Sequence, residues 1–207
     1  GTTTDSLLVE TGGINLATYV LTTDVVKGMR IDGVISGTGG LTKISGDTLI
    51  LGGANSYSGA TTLTNGVIQL QNQDGLGSTS PGASSTAASN TTVASGTTIK
   101  IVGTGFVIPE VLSLSGLGVN SQGVLINNSG KNSLTGDISI SSDATIVSNG
   151  NNLNDSLIVI GRLFLGNGVT TDGIVTNGLM VNLDASNLLS YNSSVGGTVW
   201  KDLSGNS

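Results

Sequence analysis

Between Gly37 and Ser78 the chain reads GTGGLTKISGDTLILGGANSYSGATTLTNGVIQLQNQDGLGS, short apolar runs that each end in Gly, Asn, Ser or Thr. Runs of this length favour strands over helices. Strands so short do not easily build a wide sandwich. As successive sides of a coil they suffice, because each pairs with a strand above and one below.

The pattern recurs. GANSYSGATTLTNGVI from Gly53 aligns without gaps on GKNSLTGDISISSDAT from Gly130. Gly53, Asn55, Ser56 and Gly59 fall on Gly130, Asn132, Ser133 and Gly136, with Tyr57 on Leu134 and Leu63 on Ile140. A repeat inside a strand-rich chain is the mark of a stacked architecture. Gly and Asn serve its corners, and equivalent Asn residues can hydrogen-bond up and down the stack.

Expected strands are Ser6 to Val9, Thr18 to Leu21, Met29 to Ile35, Leu41 to Ile44, Thr48 to Leu51, Thr61 to Leu63 and Val67 to Leu70. They continue with Thr91 to Val93, Thr98 to Val102, Val111 to Leu114 and Gly123 to Ile126. The last are Ile138 to Ile140, Thr145 to Val147, Leu157 to Ile160 and Leu163 to Leu165. The run PGASSTAAS from Pro81 has no apolar stripe and reads as a loop bulging from a corner. Aromatic residues are only 3% of the 207, so the core must be a thin aliphatic column, which suits a solenoid.

GTGGLTKISGDTLILGGANSYSGATTLTNGVIQL resembles the autotransporter-associated β-strand repeat of bacterial passenger regions. The segment IPEVLSLSGLGVNSQGVLINNSGKNSLTGDISISSDATI from Ile108 resembles the sequence that accompanies that repeat. The resemblance covers roughly residues 33 to 160 and implies an all-β, right-handed parallel β-helix displayed outside a cell. At ~20–25 residues per coil this gives about seven or eight coils. With ~4.8 Å between stacked strands, the rod is roughly 35 Å long.

The expected division is an N-terminal cap or preceding coil over 1–30, the β-helix over 31–175 and a further domain from 176. The tail holds Leu183, Asp184, Ala185 and then Trp200, Asp202, Leu203, Ser204, Gly205 and Asn206. These residues resemble the opening of a laminin-G-like or concanavalin-like sandwich, which implies a piece of a longer protein.

The chain has neither His nor Cys, which removes Ser-His-Asp and Cys-His catalysis, the common zinc sets and disulfides from consideration. The net charge is −6, and Lys27, Arg30, Lys43, Lys100, Lys131, Arg162 and Lys201 are dispersed. A nucleic-acid footprint needs clustered cations, so nucleic acid is not an expected partner. The most apolar window, Leu157 to Leu165, is too short to cross a membrane as a helix and contains Arg162.

Gly37–Gly40 opens no helix and lacks a dinucleotide fingerprint. Two acid pairs, Asp137 with Asp143 and Asp24 with Asp32, are the candidates for acid–base work; solvated corners are the simpler reading. The GGxGxD calcium repeat is missing, and Asp184 and Asp202 read as strand-end and turn residues. Tyr57 and Tyr191 are candidate sugar platforms, with packing the simpler reading, and Trp200 reads as core of the following sandwich. N-x-Ser/Thr sequons start at Asn90, Asn127, Asn154 and Asn192, as chance provides in such a composition.

No catalytic, cofactor-binding or metal residue is assigned, and no cofactor is expected. The reading is a non-enzymatic extracellular scaffold or adhesin stalk displaying a binding domain at a cell surface. Alternatives are a phage or viral fibre protein and a β-helical polysaccharide lyase or hydrolase. Expected partners are a glycan or cell-surface receptor bound through the following domain, with a homo-oligomer or filament also open.

Overall fold

A computed structural model describes residues 7–10, 12–24, 27–77, 90–149 and 155–166. The chain divides into two compact units, Gly1–Leu163 and Phe164–Ser207. The strand Leu163–Leu165 straddles that division. The PGASSTAAS run and the 176–207 segment, with Asp184, Tyr191, Trp200 and Asp202, lie outside the described residues.

The first unit is a parallel β-solenoid of about six turns, stacked on three sides. One side is a seven-stranded sheet in the order Leu7–Val9, Met29–Ile31, Thr48–Leu51, Val67–Leu70, Thr98–Val102, Leu125–Ser129, Ile146–Ser148. The second runs Leu21–Thr23, Leu41–Lys43, Thr61–Leu63, Thr91–Val93, Leu112–Gly116, Ile138–Ala144. The third is shorter, pairing Ile14–Asn15 with Ile35–Ser36 and, later, Val107–Ile108 with Lys131–Leu134 and Ser156–Val159. Residues 12–24 already stack on the next coil, with Ile14 opposite Ile35 and Leu21 opposite Leu41.

The period-2 alternation of strands sends every second side chain inward. In-register stacking then builds columns. On the first side Met29, Leu49, Ile68, Ile99, Leu125 and Ile146 lie one above another. These columns merge with those of the other sides into one aliphatic core. Each fully buried Leu or Ile contributes about 1.5–3 kcal/mol.

The internal repeat is structural as well as textual. Asn55 Oδ1 accepts from the Ile35 N–H of the preceding coil at 2.8 Å, while Ser56 N–H donates to Ile35 O at 2.8 Å. Asn132 Oδ1 accepts from Phe106 N–H at 2.9 Å, and Ser133 N–H donates to Phe106 O at 2.8 Å. Each Asn side chain thus continues the ladder where the corner breaks it. Asn55 Nδ2 also reaches the Gly75 carbonyl of the next coil, at 2.7 Å.

Some strand boundaries differ from expectation. The Met29 to Ile35 run splits at Asp32–Gly33, a corner where a Cβ on Gly33 would sit 2.5 Å from the Glu10 carbonyl oxygen. Leu16–Val20 forms a turn with Ala17 at φ 51, so pairing begins only at Leu21. Ile14–Asn15, Val107–Ile108 and Lys131–Leu134 are strands the sequence pattern did not suggest.

Candidate binding cleft

Inward columns on the second side contain polar residues. Leu41, Thr61, Thr91 and Leu112 share one column; Thr23, Lys43, Leu63 and Val93 share the next. The polar side chains of these columns, Thr23, Lys43, Thr61 and Thr91, are all partnered, as burial demands. Tyr57 Oη and Thr61 Oγ1 are 2.6 Å apart, and Thr91 Oγ1 donates to Glu110 Oε1 at 2.7 Å. Lys43 Nζ donates to Ser45 O at 2.5 Å and to Asn65 O at 3.3 Å.

Burial pushes the Glu110 carboxyl up to about 8 against the opposing Thr91 hydrogen bond. It also raises the Tyr57 phenol. Burial lowers the Lys43 ammonium, opposed by the charges of Asp47 and Asp24. These groups are interior supports. Tyr57 is wholly buried, so the packing reading holds and it offers no sugar platform; among the described residues Tyr19 is exposed, at 77%.

The two candidate acid pairs do not come together. Asp137 and Asp143 sit at opposite ends of Ile138–Ala144, about 15–20 Å apart at strand rise. Glycosidase carboxylates stand roughly 5–9.5 Å apart. Asp137 is bound by Arg162, whose Nη2 lies 2.6 Å from Oδ2, and this bond holds its carboxyl below the usual range. Asp24 follows a strand of the second side, and Asp32 follows one of the first, paired with Arg30 at 2.6 Å. Asn127 is buried, donating to Gly130 O and Ser156 O and accepting from Asn132 Nδ2, so its sequon is closed in the fold.

Among the described residues, a cleft lies where the second side turns toward the first. Its volume is about 460 Å³, and it is lined by Ser95, Gly116, Leu117, Ser121, Ser142 and Asp143, among others. Two irregularities build it. The register slips between Leu114 opposite Ile140 and Gly116 opposite Ala144, setting Ser141, Ser142 and Asp143 against the single residue Ser115. Such a bulge bends the strand and re-aims its side chains. Ser142 Oγ is fixed by Ser115 Oγ at 2.9 Å and by the Gly116 N–H at 3.2 Å, which leaves the next residue, Asp143, turned to the cleft.

The opposite wall is the loop Leu117–Gly123, with its short 3₁₀ turn Val119–Ser121. Asn120 and Ser121 hold φ 52 and 59, left-handed values that disfavour side-chain-bearing residues. Buried Thr98 of the adjoining side pins the loop twice. Its Oγ1 accepts from Val119 N–H at 3.0 Å and donates to Gly123 O at 2.8 Å. Little in the sequence signals this: ISIS alternates and SDA breaks the alternation, whereas nothing marks Thr98 as a clamp.

With the coils and cleft described, comparison with known families adds one finding. Residues 41–70 match the passenger-associated-transport-repeat family. The matched span runs from the start of Leu41–Lys43 to the end of Val67–Leu70. It is one and a half turns of the solenoid, including the Asn55 bridge and Tyr57. The match covers 30 of the 207 residues. No curated protein and no solved structure matches the chain. No helix among the described residues is long and apolar enough to cross a membrane.

Proposed function

We propose that the coiled segment is a non-enzymatic stalk of an adhesin-type surface protein, carrying a glycan- or receptor-binding domain to which residues 176–207 belong. The observation that supports this reading is the coincidence of the passenger repeat with an in-register coil whose polar residues are spent on internal bonds. A rigid stack of this kind sets distance and orientation. It does so without chemistry of its own.

The test is protease shaving and antibody labelling of intact producing cells. The full-length protein should be labelled before lysis, and cells lacking it should lose attachment to a glycan- or receptor-coated surface. Labelling only after lysis would overturn the location, and unchanged attachment would overturn the adhesive role.

A further inference from the structure

We infer that the cleft between the Leu117–Gly123 loop and the Ser141–Asp143 bulge binds a neutral, hydroxyl-rich ligand, a pyranose unit of a saccharide. Four observations carry this. First, its volume of about 460 Å³ falls within the ~300–1,000 Å³ of small-ligand sites. Second, its polar groups are available. The Asp143 carboxylate and the Ser95 and Ser121 hydroxyls line it, while Ser142 is engaged with Ser115 and Gly116.

Third, the groups select by chemistry. A lone carboxylate repels an anion and asks for donors. A hard cation takes several oxygen ligands, and among the described residues no group of three or more acids is gathered. Hydroxyl groups of a sugar satisfy carboxylate and serine alike, donating to the first and exchanging either way with the second. Leu117, 46% exposed at the rim, offers an apolar surface for the C–H face of a ring.

Fourth, the site is held in shape. The two left-handed residues Asn120 and Ser121 are kept by the Thr98 clamp and by Gly123 N–H donating to Leu117 O at 2.8 Å. Left-handed non-glycine residues persist where the surroundings over-determine them, and they concentrate at ligand sites. A preorganised site loses less on binding. The lining residues all precede the proposed binding domain in the chain, so the stalk itself carries a recognition point.

Saturation-transfer NMR and calorimetry on the full chain test it, using methyl α-glucopyranoside, methyl β-galactopyranoside and methyl α-mannopyranoside as probes. At least one should bind with a dissociation constant of about 1–10 mM. Asp143→Ala should weaken it about tenfold or more through loss of a charged acceptor, and Ser121→Ala about threefold. Both residues face solvent, so circular dichroism should be unchanged; if Asp143→Ala does not fold, Asp143→Asn takes its place. Three results would sink the idea: no binding by any probe at about 50 mM, binding indifferent to both substitutions, or saturation of the cleft by calcium or sulfate in place of the sugars.

Discussion

The coils matched by the passenger repeat and the coils from Thr98 onward solve the same stacking problem with different amounts of chain. In the first region the bridging Asn reaches back 20 residues, from Asn55 to Ile35. In the second it reaches back 26, from Asn132 to Phe106. The ladder contacts are nevertheless the same, one amide oxygen on one N–H and one backbone bond beside it. The core residue following differs freely, Tyr57 in one and Leu134 in the other, both buried. What must be kept is the backbone bridge and the close glycine approach. Extra residues are absorbed in the corners, and the cleft is what they build.

That equivalence can be broken at the glycines first. A Cβ on Gly59 would lie 2.5 Å from the Gly39 carbonyl atoms, and one on Gly136 would collide with the Glu110 carbonyl. Gly59→Val and Gly136→Val should each cost more than about 4 kcal/mol in denaturant unfolding. A tolerant Gly136 would show that the later coils are stacked more loosely than the earlier ones.

Glu110 sharpens the contrast by pH. Its folded value of about 8 lies above the ordinary 4.5, so the folded state holds the proton more tightly. Stability is then fullest below about pH 4.5 and declines as pH rises to about 8, by up to about 5 kcal/mol. Glu110→Gln should remove most of this slope in urea midpoints measured from pH 5 to 8. A wild-type curve flat over that range would contradict the buried, proton-holding carboxyl.

The bridging asparagines come next. Asn55→Ala leaves the Ile35 N–H and the Gly75 carbonyl without their partner, a loss of about 2–4 kcal/mol. Asn132→Ala should cost at least as much, because its amide also serves Gly103 O, Ser129 O and Asn127 Oδ1. Thermal melts of the pair decide whether the longer coil depends more on its bridge. The smallest effect belongs to Gly96, at φ +79 with open space around it. Gly96→Ala should cost only about 1–2 kcal/mol, from backbone strain alone.

The stacked fold was legible because Gly and Asn at the corners cannot be exchanged without breaking contacts, so Gly53–Gly59 and Gly130–Gly136 preserved their spacing. Corners within apolar runs were not legible. Met29 to Ile35 reads as one strand, yet Gly33 turns it, because its backbone lies against Glu10 and Gly13 of another coil. Nor was the interior position of Lys43 visible. Its inward direction follows from register with Thr23 and Leu63, a property of three coils together. The cleft was least legible of all. Asp143 was a candidate only beside Asp137, and the sequence does not show the bulge that turns it toward the cleft.

The spacing of the bridges has a kinetic consequence. Each coil finds its neighbour across one coil length of chain, the 20 or 26 residues from Ile35 to Asn55 or from Phe106 to Asn132. Lengthening such a stack leaves that search distance unchanged, so each added coil meets a similar loop-closure cost on an existing template. Relative contact order therefore falls as coils are added, and folding advances coil by coil along the chain.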